Sequence, residues 1–73
     1  MKKDSFRLVV PEILKCVQIL YQTGEITCIE KDTICRQLFL GDTDSILEKA
    51  ETLAFYGSEA AMTMLETVQR ATA

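Results

Sequence analysis

Two stretches of this chain match at a constant offset, and that match constrains its fold more than any other feature. Ile13 to Gly24 reads ILKCVQILYQTG, and Ile46 to Gly57 reads ILEKAETLAFYG. At an offset of 33 residues Ile13 answers Ile46, Leu14 answers Leu47, Leu20 answers Leu53 and Gly24 answers Gly57. Val17 answers Ala50, so a small or β-branched apolar residue recurs in the middle of each copy. Each copy is an amphipathic helix closed by glycine, the residue best suited to the left-handed position after a helix. An amphipathic helix that recurs after a return helix defines a helical-hairpin repeat.

The remaining helices follow from local signals. Pro11 suits the first turn of a helix, where its missing N–H costs nothing. Helix 1 is therefore expected from Pro11 to about Thr23, with Ile13, Cys16, Val17 and Leu20 as its stripe and Leu14 and Tyr21 widening it. Residues 1–10 form a basic and apolar lead segment, polar and loose to Arg7, and residues 11–73 form one helical-hairpin domain. Thr27 with Glu30 is a capping box, which starts helix 2 near Cys28 and turns Ile34, Cys35 and Leu38 inward. Phe39 cannot share that stripe with Leu38 unless the arc is broad, so one of them belongs near a partner-facing edge. Helix 2 finishes at Phe39, Leu40 and Gly41. Ser45 with Glu48 predicts a second capping box for helix 3, whose Ile46, Leu47, Ala50, Leu53 and Ala54 point inward. Ser58 caps helix 4, with Ala61, Met64, Leu65 and Val68 on one face and Met62 to the side, before a fraying end from Gln69. The fold class is all-α: four short helices in two antiparallel hairpins.

Composition excludes several functions. There is no His, the commonest general base and metal ligand, and no Gly-rich phosphate loop follows a strand, so no enzyme is expected and no catalytic or cofactor residue is assigned. Cys16, Cys28 and Cys35 lack zinc-ligand spacing and read as reduced, packed thiols in a cytoplasmic, bacterial protein. No apolar run reaches membrane-spanning length, and no signal peptide opens the chain. The charge is +2 over residues 1–15 and −5 over residues 25–73, which argues against nucleic acid as a partner. The chain is 48% hydrophobic, more than so small a core readily hides, which favours a homo- or hetero-oligomer.

The run from Val17 to Ala71 resembles the tetratricopeptide (TPR)-like chaperones of needle subunits in type III secretion systems. The points of resemblance are Thr23-Gly24 closing the first helix, and Glu30, Ile34-Cys35, Leu38 and Leu40 on the second. An acidic linker and Gly57 to Ala61, opening an Ala-rich fourth helix, complete them. The Cys-His turn associated with that family is replaced by Ile26-Thr27-Cys28, and the third hairpin that usually follows is missing from this sequence. The resemblance implies a cytoplasmic chaperone or adaptor that holds an amphipathic helix of a needle subunit beside a second small co-chaperone. Tyr21, Phe39, Phe55, Tyr56, Met62 and Met64 are the candidate partner contacts, since aromatic and Met side chains supply large, adaptable area. The alternative is a helix-turn-helix-like regulator, or an antagonist of one, acting by protein contact. Its recognition helix would carry Asp44, Glu48 and Glu51 with only Lys49 to meet phosphate.

Overall fold

A computed structural model describes residues 2–72, with side chains from Phe6 to Thr72. Four helices make up the fold: α1 (Lys2–Gln22), α2 (Cys28–Leu40), α3 (Thr43–Phe55) and α4 (Glu59–Thr72). Short connections force successive helices to run in alternating directions, which gives two antiparallel hairpins. The 33-residue correspondence survives only in part, since the equivalent helices α1 and α3 do not pack against each other and Leu14 is exposed where Leu47 is half-buried. Ile13 and Ile46 are both fully buried, as are Val17 and Ala50, and Gly24 and Gly57 both have positive φ.

The helices close by one hydrogen-bond scheme. At the end of α2 the Gly41 N–H donates to the Leu38 carbonyl (3.2 Å) and the Asp42 N–H to the Gln37 carbonyl (2.9 Å). At the end of α3 Gly57 donates to Ala54 (2.9 Å) and Ser58 to Leu53 (3.2 Å). This is the Schellman closure, which needs a left-handed residue at the glycine. Gly41 and Gly57 supply it at φ 72° and 92°. The residue after each of these glycines then caps the next helix. The Asp42 carboxylate accepts from the Ser45 N–H (3.3 Å), and the Ser58 hydroxyl accepts from the Ala61 N–H (3.2 Å). One residue thus ends one helix and begins another, and the chain reverses with almost no loop. Thr27 caps α2 with both bonds of the capping box, Glu30 N–H to Thr27 Oγ1 (3.1 Å) and Thr27 N–H to Glu30 Oε1 (2.9 Å).

Two boundaries differ from the sequence expectation. Helix α3 starts at Thr43 behind Asp42, not behind Ser45, because Asp42 is already committed to the turn that closes α2. Helix α1 does not start at Pro11 but runs through it from Lys2. Phe6 is buried and Val9 and Val10 pack against the core, so the inner stripe of α1 continues upstream of Ile13 at helical spacing. Pro11 lies on the exposed side with Arg7, whose carbonyl loses its helical partner where water can replace it. At the other end α4 stays helical through Thr72, held by buried Ala71; Met1 and Ala73 lie outside the described residues.

The helices form a ring in which α4 lies against both α1 and α3, while α2 touches α1 and α3 more thinly on the opposite side. The face of α4 made by Ala61, Met64, Thr67, Val68 and Ala71 is buried. Thr67 is tolerated there because its hydroxyl donates to the Thr63 carbonyl (2.8 Å). Ala50 and Ala61 are both fully buried, and side chains this small let their helices approach closely. Ala50→Leu is expected to overpack that region and lower stability by about 1 to 3 kcal/mol. Urea denaturation checks it; an unchanged midpoint would place Ala50 off the packed face of α3.

Candidate partner-binding surface

The two ends of the bundle gather different elements. At one end the α1–α2 and α3–α4 connections lie near each other, where the Ser58 side chain helps hold the Glu25 carboxyl below its ordinary pKa. At the other end the start of α1, the α2–α3 turn and the end of α4 surround a cleft of ≈ 540 Å³ lined by Phe6, Leu38, Phe39, Leu40 and Leu47, with Arg7 and Asp44 at its edge.

The candidate contacts divide between these ends. Phe55 and Tyr56, 85% and 79% exposed, close α3 at the first end and stack edge to face with centroids 5.5 Å apart. Tyr21 closes α1 at that same end, and Met62 sits on the first turn of α4 with part of its side chain in solvent. Tyr21 is less free than Phe55, because the Lys31 ammonium lies 4.7 Å above its ring and ties α2 to α1. Phe39 is 90% exposed but stands at the far end of α2, so the structure does not bring it to the other aromatics. Met64 must be reassigned. It is 0% exposed and part of the core, since the phase of α4 that buries Ala61 and Val68 also turns Met64 inward. Among the described residues the one aromatic pair in contact is Phe55–Tyr56.

On α2, two exposed apolar residues lie outside the candidate contacts. Ile29 is 78% and Leu40 is 70% exposed, and both project from the outer side of α2. A signal for them was present. Ile29, Ile34, Leu38, Phe39 and Leu40 cannot be fitted to one helical stripe, so some of them had to point away from the core. Only Ile34 and Leu38 are buried on α2, and Cys35 is half-buried beside them.

Charge separates the faces further. Asp44, Glu48 and Glu51 recur at helical spacing and are all exposed, so the outward side of α3 is acidic. Between α2 and α3 lies an open polar groove lined by Glu30, Thr33, Gln37, Ser45, Glu48 and Lys49. The Lys49 ammonium bridges it to Glu30 Oε2 at 2.5 Å. That bond, with the Thr27 amide, holds the Glu30 carboxyl below its ordinary pKa. Hydrogen bonds from Ser58 and Thr23 lower the carboxyl of Glu25 in the same direction. Burial, helped by the nearby Glu12 charge, pushes the Cys16 thiol up, so it stays protonated and weakly nucleophilic. All three cysteines are free, and among the described residues no cluster of three or more metal-ligating side chains is found. Among them, too, no helix is long and apolar enough to cross a membrane.

No family model, curated protein or solved structure matches the chain.

The Glu30 bridge is the one ion pair between helices among the described residues, and it predicts a pH dependence. A carboxyl with a depressed folded-state pKa stabilises the fold above its unfolded pKa, about 4.3 for Glu, and that contribution is lost as pH falls through the lower folded value. Thermal melts from pH 7 to pH 3 should show an acid-side loss that is smaller in Glu30→Gln. Identical acid-side slopes in the two proteins would remove Glu30 from the account.

Proposed function

We propose that this protein is a protein-binding adaptor or chaperone whose aromatic end receives an amphipathic helix of another protein. The observation that carries the reading is the exposure of Phe55 and Tyr56, two large aromatics held edge to face in solvent at the close of α3. Aromatic side chains anchor interfaces because they cover much area at small entropic cost. Neither ring contributes to the core cluster, so the fold gives them no packing role. A partner helix lying across this end would cover them together with Tyr21 and Met62.

Within that class, the sequence resemblance favours a type III secretion needle subunit as cargo, with a second small co-chaperone beside it. Duplex DNA is a poor alternative occupant. A helix-turn-helix reading would present α3, whose outward Asp44, Glu48 and Glu51 repel phosphate.

The test compares binding with stability in one variant. Phe55→Ala/Tyr56→Ala is expected to change folding stability by less than about 1 kcal/mol, as exposed substitutions usually do. A photo-crosslinking residue at position 55, expressed in the native host, is expected to capture one small helical protein. The alanine pair should lose that protein in co-purification. Unfolding of the double variant, or undiminished co-purification with it, would show that these rings are not the anchor.

A further inference from the structure

The outer side of α2 leaves Ile29, Phe39 and Leu40 uncovered, and its sequence is complementary to itself. Ile29, Asp32, Arg36 and Phe39 follow one another at intervals of three, four and three residues, the spacing of a coiled-coil seam. Ile29, Asp32, Arg36 and Phe39 are all exposed, and Leu40 and Cys28 flank them in solvent. Among the described residues the one ion pair is Glu30–Lys49, so neither Asp32 nor Arg36 has a salt-bridge partner among them.

Consider a second copy of α2 laid antiparallel on the first, with a twofold axis at the level of Ile34. Residues equally far before and after Ile34 then face each other. Ile29, five residues before, meets Phe39 of the second copy, five after. Asp32, two before, meets Arg36, two after. Each apolar residue of the seam thus opposes an apolar residue and each acid opposes a base. A parallel pair would set Asp32 against Asp32 and Arg36 against Arg36, so the charges select the antiparallel arrangement.

We infer that the chain forms a twofold-symmetric homodimer through the outer face of α2, with Ile29 on Phe39 and Asp32 on Arg36 of the partner copy. Such an interface is isologous, as twofold contacts between identical chains must be. One helix face of 13 residues is small beside a standard interface, so the dimer is weak, with a dissociation constant on the order of micromolar.

The charges supply the test. Sedimentation equilibrium of the full chain, from about 1 µM to about 1 mM, is expected to show a reversible monomer–dimer equilibrium. Asp32→Arg alone sets two arginines against two arginines, and Arg36→Asp alone sets acids against acids. Each should weaken dimerisation at least tenfold. Mixing the two single variants should restore association, because the mixed pair has opposite charges at every contact. The double swap Asp32→Arg/Arg36→Asp should restore it within one chain. Both positions are exposed, and circular dichroism of each variant checks that the helices persist. The inference is overturned by a wild type that stays monomeric over the whole range. It is equally overturned if the single variants dimerise like wild type, or if neither the mixture nor the double swap recovers.

Discussion

The bundle depends on α4 burying one face against two neighbours at once. Ala61, Met64, Val68 and Ala71, with Thr67 among them, are covered by α1 on one side and α3 on the other. A domain of this size has little interior, so most of the hydrophobic stabilisation must come from that shared layer. The alanines matter as much as the larger residues, because they bring the helix axes close enough for Ile13, Leu20 and Ile46 to lose all contact with water. The extension of α1 through Pro11 follows from the same layer. Phe6, Val9 and Val10 gain core contacts along α4, and that gain outweighs one lost helical hydrogen bond on a solvated side.

Once α4 has taken α1 and α3, α2 is left with the least. It is held by the Ile34 and Leu38 side chains, the Glu30–Lys49 bridge and the Lys31 ammonium over Tyr21. The two polar links reach opposite neighbours, α3 and α1, and act as braces where packing is thin. A helix with two buried residues and three large exposed ones is poorly amphipathic, and its outer side is the natural place for a second chain. The aromatic pair lies on α3 and the self-complementary seam on α2, so the two surfaces are built from different residues.

The parts legible in the sequence were those with local causes. Thr27 with Glu30, Ser58 and the closing glycines mark helix ends through bonds a few residues long, and the four helices follow from them. Ile13 and Ile46 were placed in the core by periodicity alone. What stayed hidden depended on competition between elements. Ser45 and Asp42 are both good caps, and only the turn that closes α2 decides for Asp42. Pro11 suits a first turn, and only the distant partners of Phe6 carry the helix back past it. Met64 falls on the inner face of α4 by periodicity, and its burial there removes it from the candidate contacts, while Met62 to the side reaches solvent. Leu38 and Phe39 cannot share one narrow stripe, and only the packing of α2 decides that Leu38 is the buried one. Ile29 and Leu40 are a like case, since hydrophobicity alone does not tell a surface from an interior.

The ranking of the helices is measured most directly by native-state hydrogen exchange, resolved amide by amide. The inner amides of α1 and α4 should exchange only through global unfolding. Those of α2 should exchange through a smaller opening of lower free energy that leaves α1, α3 and α4 protected. Protection of α2 equal to that of α4 would contradict the account, because it would make all four helices one cooperative unit with no loosely held face.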